Sequence, residues 1–257
     1  MKKSLAILSL LLTLALSGTS LATDTLTNAD DEKDIYAISD PLEGFNRVIF
    51  KFNDTVDIYI LSPVARGYRS ITNKSVRKSI NSAFSNLKEP MSAINYLLQA
   101  KPKESITSVG RFAVNSTLGL AGLFDVAEGW GWKNEVVGFD RTLATWCVPD
   151  GPYLVIPLLG PSTPRGAIGE VADYFSHPVY WATTDHEDGM YASMAFSAAR
   201  AVVSREALLD LTDDFRRNSV DYYATMRAAF IQNRSGYNCS AKGTSPAANY
   251  DFDFTVE

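Results

Sequence analysis

Apolar residues recur every three or four positions between Pro41 and Leu61, with polar residues between them. This spacing puts the apolar side chains on one face of an α-helix. They are Leu42, Phe45, Val48, Ile49, Phe52, Val56 and Tyr59. The pattern therefore predicts an amphipathic helix over residues 41–61.

The same periodicity, divided by proline and glycine, predicts further helices along the chain. Ser62 followed by Pro63 has the order of a cap and a first-turn proline, which predicts a new short helix through Tyr68. Repeated glycines between Gly119 and Gly138 predict turns and loops there. The other predicted helices cover residues 76–88, 91–100, 105–118, 164–174, 187–209 and 212–233, with a turn at 210–213 between the last two.

A brief apolar run from Tyr153 to Leu159 lies between two Gly-Pro pairs. It is far too short to cross a bilayer, and Pro157 argues against a central strand or a straight helix. A hydrophobic loop or hairpin is therefore predicted. Ser162 and Thr163 then predict a cap for the following helix.

Residues 1–22 have the order of a secretory signal peptide: two lysines, an apolar run, and small residues before a cleavage point. An uncleaved helix of a cytosolic protein is the alternative. Residues 23–40 predict an acidic flexible leader, residues 41–234 a single mainly helical domain, and residues 235–257 a loop-like tail. Leu16-Ser17-Gly18 matches the start of a lipoprotein motif, but Thr19 stands where the acylated cysteine would be. Export without N-terminal lipidation is therefore expected.

The net charge of the 257 residues is -5, from 24 Lys and Arg against 29 Asp and Glu. This balance argues against a general nucleic-acid binder, because that role needs a basic face. His177 and His186 are too far apart for the common zinc motifs, and no phosphate-binding or dinucleotide-binding motif is present. We therefore expect no catalytic site, no metal and no cofactor.

Cys147 and Cys239 are the two cysteines of the chain, too few for a disulfide framework. An oxidising compartment allows them to pair, and the sequence leaves this open. A cysteine-dependent hydrolase using Cys147 with His177 is an alternative function, although no protease signature surrounds the cysteine. The flanking Trp146 and Val148 predict instead that Cys147 is packed in an apolar interior.

Three apolar or amphipathic segments suit a membrane interface: residues 45–59, 118–126 and 153–159. Trp130 and Trp132 add aromatic side chains of the kind favoured at that depth. The alternative is that each segment packs into a core. The residues by themselves indicate an exported helical protein that can touch a membrane.

A series of short blocks, ordered from Asp40 to about Arg234, resembles the MlaA (VacJ) family of outer-membrane phospholipid-trafficking proteins. The strongest block is GPYLVIPLLGPST at residues 151–163, and the first is DPLEGFNR at residues 40–47. The others are residues 52–53, 63–65, 86–90, 95–99, 111–112, 115–119 and 122–127.

The resemblance implies an all-α fold: a single ring-like domain of amphipathic helices with a hydrophobic loop or hairpin, and no membrane-spanning helix after the signal is removed. It implies residence in the inner leaflet of the outer membrane, on the periplasmic side, around an amphipathic channel. The implied partners are phospholipid, a trimeric porin and a soluble periplasmic lipid carrier. The implied function is removal of phospholipid misplaced in the outer leaflet, with no bond made or broken.

The family blocks also imply site residues, each of which has a purely structural alternative. Polar groups near a headgroup path would be Asn46, Arg47 and Asn53; the alternatives are local hydrogen bonds and a pair between Arg47 and Glu43. Apolar groups bordering the channel would be Phe52, Tyr153, Leu154, Ile156 and Leu158, which otherwise belong to a core. Ser162 and Thr163 would hold a phosphate at a helix N-terminus, or serve only as its cap.

The chain departs from the family pattern in several places. Thr19 replaces the usual acylated cysteine, which raises a second candidate function: a soluble periplasmic lipid-binding or scaffold protein without membrane residence. Asp140, Cys147 and Pro149 stand where relatives tend to have glycine, and Gly166 follows Arg165 where an aspartate is common. The loop over residues 139–151 is therefore expected to differ most from the family.

Overall fold

The computed structural model describes residues 40–133 and 135–234, and helices predominate in these ranges. The predicted signal peptide with Thr19, the leader up to residue 39 and the C-terminal tail with Cys239 lie outside the described residues. The helices are α1 (Glu43–Val56), α2 (Ser62–Ile71), α3 (Lys74–Asn86), α4 (Glu89–Leu98), α5 (Pro102–Thr117), α6 (Val126–Gly129), α7 (Phe139–Thr145), α8 (Pro164–Ser176), α9 (Pro178–Thr184), α10 (Gly189–Ala207), α11 (Leu209–Asn218) and α12 (Tyr222–Arg234). The strands are β1 (Leu154–Ile156) and β2 (Gly160–Ser162).

A π-helical turn over Asp57–Leu61 joins α1 to α2. The backbone N–H of Ser62 donates to the Asp57 carbonyl five residues earlier, and Ser62 itself has helical dihedral angles. The helix predicted over residues 41–61 is confirmed, but the predicted cap at Ser62 is wrong. Pro63 has no N–H to donate, and the wider π-helical turn lets the helix pass this proline without ending.

Prolines mark the starts of several helices as the sequence predicts. Pro90, Pro102 and Pro164 lie in the first turns of α4, α5 and α8. That position suits proline because the first-turn N–H groups have no partner within the helix. The side chain of Asn73 caps α3 by accepting a hydrogen bond from Val76 N at 2.9 Å.

The helix predicted over residues 212–233 is wrong, because the structure has two helices there, α11 and α12. The chain leaves the helical conformation at Ser219, and Asp221 Oδ1 starts α12 by accepting a hydrogen bond from Ala224 N at 3.2 Å. The predicted turn at residues 210–213 lies inside α11. Thr212 fits this helix because its hydroxyl donates to the Leu208 carbonyl at 2.8 Å.

The sequence pattern also missed the short helices α6, α7 and α9, which are too brief to show a full period of apolar residues. Just after α7, Cys147 is exposed, as are its neighbours Trp146 and Val148, so the predicted apolar burial of Cys147 is wrong. Cys147 has a φ of 61°, in the turn that ends α7.

The predicted apolar loop is a two-stranded antiparallel hairpin. Leu154 pairs with Ser162, Val155 with Pro161, and Ile156 with Gly160. The prediction of a loop or hairpin over residues 153–159 is confirmed.

The helices pack in a closed circuit. Following the contacts, α3 packs on α5, α5 on α4, α4 on α7, α7 on α8, α8 on α9, α9 on α10, and α10 returns to α3. Outside this circuit, α2 and α11 pack on α10, while β1 contacts α1 and β2 contacts α12. The mainly helical, ring-like fold class is confirmed.

The principal cluster of buried hydrophobic residues lies under the hairpin, not at the centre of the circuit. It consists of Tyr153, Val155 and Tyr223, with Ile49, Phe50 and Phe230 packed against it. Within residues 40–133 and 135–234, each helix is either too short or too polar to span a membrane.

Candidate functional site

The outer surface of the described chain is unusually apolar. Far more large hydrophobic side chains are exposed than buried in these ranges. Exposed members of the three predicted interface segments are Phe45, Val48, Phe52, Tyr59, Leu118, Leu120, Phe124, Leu158 and Leu159, and Trp130 and Trp132 are exposed as well. Where such exposed apolar side chains adjoin one another, they mark a site of membrane or protein contact, because exposing a large apolar patch to water is unfavourable.

Asn46 ties the hairpin to α1 at its base. This side chain is fully buried. Its Nδ2 donates to the Tyr153 carbonyl at 3.0 Å and to Asp40 Oδ1 at 2.9 Å, while its Oδ1 accepts from Val155 N at 2.9 Å. The predicted hydrogen-bonding alternative describes this residue, since all of these contacts are internal.

Asn53 repeats the arrangement two helical turns later. Its Nδ2 donates to the Ile156 carbonyl at 2.9 Å, and its Oδ1 accepts from Leu158 N at 2.7 Å. Residues seven apart lie on one face of a helix. The two asparagines therefore hold one edge of the hairpin along this face of α1.

Aromatic side chains form the floor beneath the hairpin. The ring of Tyr153 packs edge-on against Tyr223 and Phe230, with centroids 6.1 and 5.6 Å apart. The Tyr153 hydroxyl has no hydrogen-bond partner, and burial raises the pKa of this group above its usual range. Val155 is fully buried, whereas Leu154 and Ile156 are half-buried.

The tip of the hairpin presents two leucines to the outside. Leu158 and Leu159 are 70% and 67% exposed. Leu158 has a φ of 65°, a left-handed conformation that is costly for a bulky residue. The hydrogen bond from its N–H to Asn53 holds it there, so the apolar tip is fixed in position.

Arg47 lies on the surface and links α1 to α12. It forms ion pairs of 2.7 Å with Glu43 Oε1 and with Asp221 Oδ2, and its guanidinium lies 4.4 Å from the ring centroid of Tyr223. The hydrogen bond from Arg47 holds the pKa of Asp221 below its usual range. The predicted pair with Glu43 is present, extended by a long-range partner that local spacing could not indicate.

Ser162 and Thr163 are buried at the start of α8. Thr163 Oγ1 accepts from Gly166 N at 3.0 Å and donates to Asp150 Oδ1 at 2.7 Å. Ser162 Oγ donates to the Thr163 carbonyl at 3.3 Å. The hydroxyl of Thr163 therefore caps the helix and already faces a carboxylate, as the capping alternative predicted.

Beside the hairpin, a network of ion pairs that the sequence did not indicate joins α1 and the π-helical turn after it to α10 and α11. Arg205 Nε lies 2.5 Å from Asp57 Oδ1, and Arg216 Nη2 lies 2.6 Å from Asp54 Oδ1. Burial alone would raise the pKa of Asp57, but these two arginines outweigh it and hold that pKa below its usual range. The network borders a cleft of about 120 Å³, which Asn53 also lines. No local signal reveals it, because the partners are about 150 residues apart.

Three known proteins resemble this chain over most of its length. MlaA of Escherichia coli, an intermembrane phospholipid transport system lipoprotein, is 34% identical over 224 residues, which cover 85% of this chain and 86% of the relative. The protein of the same name in Haemophilus influenzae is 31% identical over 239 residues, 91% of this chain and 90% of the relative. An uncharacterised protein of Rickettsia typhi is 38% identical over 205 residues, 79% of this chain and 80% of the relative.

The fold has a solved counterpart as well, from work on the structural basis for maintenance of bacterial outer membrane lipid asymmetry. It superposes with a TM-score of 0.65 and 36% identity, covering 76% of this chain and 96% of that chain. A family model described as MlaA lipoprotein matches residues 38–236. With its ordered blocks, its helical circuit and these matches, the chain belongs to the MlaA lipoprotein family.

Proposed function

We propose that this protein moves phospholipid between membranes: it removes phospholipid misplaced in the outer leaflet of the outer membrane and passes it to a soluble periplasmic carrier. The observation that supports this most directly is the exposed apolar outer surface around a closed circuit of helices. Such a surface suits immersion in lipid. No bond is made or broken in this process, so the protein acts as a conduit and not as an enzyme.

The hairpin would form the apolar border of the lipid path. Leu154, Ile156 and Leu158, with the exposed Phe52 of α1, would contact acyl chains at its mouth, and the buried Tyr153 would support the hairpin from below. Asn46 and Asn53 would act by holding the hairpin on α1, since their side-chain groups bond to its backbone. A fixed apolar border lowers the cost of guiding acyl chains past polar groups.

The polar residues of the predicted site would lie beside the lipid path and not inside it. Arg47 would meet headgroups at the surface while keeping α1 joined to α12. Thr163 would set the direction of α8, and through it the position of β2, by capping this helix, and the Ser162 hydroxyl would support the same turn through the Thr163 carbonyl.

We further propose that the folded domain binds the membrane without an acyl anchor. It would lie on the periplasmic side of the outer membrane, in association with a trimeric porin. Support comes from exposed tryptophans, Trp130 and Trp132, and from the apolar faces of α1 and α8. Aromatic side chains are favoured at the membrane interface.

The proposed transport is tested in cells that depend on this protein for outer-membrane lipid asymmetry. Replacing Leu158 and Leu159 with glutamine is expected to increase outer-leaflet phospholipid and detergent sensitivity, because the apolar border is lost. Val220→Gln, at a fully exposed position between α11 and α12, serves as the control. Unchanged outer-leaflet phospholipid in the tip variant would count against the role of the hairpin.

The second candidate, a soluble periplasmic lipid-binding or scaffold protein, is separated by fractionation. The proposed conduit should remain in outer membranes after a carbonate wash, together with phospholipid and porin. Recovery of the native protein as a lipid-free soluble monomer would instead support the second candidate.

A further inference from the structure

Asp40 is an acidic side chain that folding withdraws almost completely from water. It lies three residues before α1, and its side chain is 1% exposed. Its carboxylate accepts hydrogen bonds from three side chains: Asn46 on α1, and Tyr223 and Arg227 on α12. These are the two helices that contact the strands of the hairpin. One buried carboxylate therefore joins both neighbours of the hairpin.

The first oxygen of this carboxylate orients the amide of Asn46. Asp40 Oδ1 accepts from Asn46 Nδ2 at 2.9 Å, and the same Nδ2 donates to the Tyr153 carbonyl at 3.0 Å. At the other end of the amide, Oδ1 accepts from Val155 N at 2.9 Å. If the amide turned over, its oxygen would face two acceptors and its NH2 group would face a donor. Asp40 therefore favours the orientation in which Asn46 bonds to the hairpin backbone.

The second oxygen holds the aromatic floor of the hairpin. The hydroxyl of Tyr223 donates to Asp40 Oδ2. Tyr223 is 3% exposed, and its ring packs edge-on against Tyr153 at the base of the hairpin. Burial, together with this hydrogen bond, raises the pKa of Tyr223, so its hydroxyl remains a donor. The carboxylate that orients Asn46 thus also fixes a ring beneath the hairpin.

Arg227 supplies a positive charge next to the buried carboxylate. Its Nη1 lies 3.4 Å from Asp40 Oδ2 and 3.9 Å from Glu43 Oε2, and its guanidinium lies 5.8 Å from the ring centroid of Tyr223. A neighbouring cation offsets the hydration that a carboxylate loses on burial. Both oxygens of the carboxylate are therefore available as acceptors, one for each helix.

We propose that Asp40 is a positioning residue for lipid transport, which couples the two supports of the hairpin, Asn46 and Tyr223. The inference rests on the proposed transport, with the hairpin as the border of its path. With the carboxylate in place, the base of the hairpin is held on α1 and on α12 at once, and the apolar border keeps one position. Without it, both supports lose their common partner, and the hairpin opens locally more often.

The test combines amide hydrogen exchange of the full-length protein in detergent, resolved for single residues, with outer-leaflet phospholipid in cells that carry the same variant. Asp40→Asn removes the charge with little change in volume. Tyr223→Phe removes only the hydroxyl and keeps the ring, so it tests the coupling even where Asp40→Asn is too unstable to purify. In both variants the amide of Val155, which donates to Asn46, should exchange about tenfold faster, the effect expected for one lost hydrogen bond. Outer-leaflet phospholipid should rise in the same variants.

Two controls make this test specific for positioning. The amide of Leu158 donates to Asn53, so its exchange should rise less than that of Val155, whereas unfolding of the whole protein would accelerate both equally. Tyr222→Phe removes the hydroxyl of the neighbouring ring, which packs on Phe50. This variant should leave the exchange of Val155 and the outer-leaflet phospholipid unchanged.

The double variant Asp40→Asn/Tyr223→Phe tests the coupling itself. Both changes act through one carboxylate, so their effects on the exchange of Val155 should multiply to less than the product of the single effects. Full multiplication would show that the two supports are independent and would overturn the coupling.

Unchanged exchange at Val155 in Asp40→Asn would overturn the positioning role. Equal acceleration at Val155 and Leu158 would overturn it too, because Asp40 would then serve only the stability of the whole fold. Faster exchange at Val155 with unaltered outer-leaflet phospholipid would overturn the role of Asp40 in transport. If cells that lack the protein kept a normal outer leaflet, the proposed transport itself would fail, and this inference with it.

Discussion

Asn46 and Asn53 show how single side chains define the candidate site. Each amide forms hydrogen bonds with the hairpin backbone through both its donor and its acceptor. A leucine or an alanine at either position would leave backbone groups of the hairpin without these partners. The hairpin therefore depends on residues that lie more than 100 positions earlier in the chain.

Replacing Asn46 with alanine should lower the free energy of unfolding by about 2–4 kcal/mol, because buried partners lose their hydrogen bonds. Asn53→Ala should cost less, about 1–3 kcal/mol, since this side chain is only half-buried. Chemical unfolding in detergent measures both values. Asn218→Ala, at an exposed position on α11, should change the free energy of unfolding by less than about 0.5 kcal/mol. If Asn46→Ala changed it by no more than this, the hydrogen bonds from Asn46 to the hairpin would not stabilise the fold.

Titration of Asp173 should make the free energy of unfolding depend on pH. Burial raises its pKa to about 6, although a hydrogen bond from Phe139 N opposes the shift. An acid whose pKa is raised on folding binds more protons in the folded state than in the unfolded state between the two pKa values. Ionisation of Asp173 thus lowers the free energy of unfolding, fully so above about pH 6. This destabilisation disappears as the pH falls towards 4, where the carboxyl is protonated in both states.

The variant Asp173→Asn, which keeps an acceptor oxygen for Phe139, should therefore be more stable than wild type at pH 8 by roughly 1–3 kcal/mol. The difference should shrink as the pH falls below 6. Unfolding free energies of both proteins, measured across pH 4–8, give this difference directly. A difference that stays constant with pH would show that Asp173 does not titrate in this range.

At the scale of elements, close packing between α7 and α8 decides which residues are tolerated. A Cβ atom added at Gly169 would lie 2.6 Å from Asp140 Cβ and 2.7 Å from Asp140 N. Because one of these neighbours is backbone, the helices would have to separate. Glycine at this position thus allows Asp140 to approach α8 and pair with Arg165.

Gly169→Ala should therefore destabilise the protein by about 2–4 kcal/mol, through overpacking at the contact between helices. Gly44→Ala is the matched control, because a Cβ there meets nothing within 4 Å and alanine favours the helix. Thermal unfolding of the two variants should shift in opposite directions. Equal midpoints would rule out the close approach of α7 and α8.

At the scale of the whole molecule, the distribution of hydrophobic residues is reversed relative to an ordinary soluble domain. Buried polar and charged residues outnumber the buried hydrophobic ones in the described ranges. Ion pairs such as those of Arg111 with Glu89 and Asp125 hold the helices together from within. The apolar faces are left for contact with the surroundings.

Placing aspartate at Leu97 and Ile106, two exposed positions on α4 and α5, should weaken binding to phospholipid vesicles by at least about tenfold. Each change removes roughly 1.5–3 kcal/mol of apolar contact with the membrane. Flotation of the purified protein with vesicles measures the bound fraction. Lys78→Gln serves as the polar control. Undiminished flotation of the Leu97→Asp/Ile106→Asp variant would show that this face lies outside the membrane.

The sequence alone determined the helical class, most helix starts, the apolar hairpin and the family blocks. These features depend on neighbours within a few residues, through helical periodicity, proline and caps. Its errors have the same origin. The π-helical turn before Pro63 and the division of residues 212–233 between two helices depend on partners that local spacing does not show.

The tertiary structure decided which side of each amphipathic segment is exposed, and which polar groups meet. Asn46 and Asn53 could have been capping residues or groups on a lipid path, and only folding brought the hairpin backbone within hydrogen-bonding distance of them. Arg205 and Asp57 likewise form an ion pair only because folding brings together positions 148 residues apart. Periodicity records which residues share a face, whereas long-range contacts decide what that face meets.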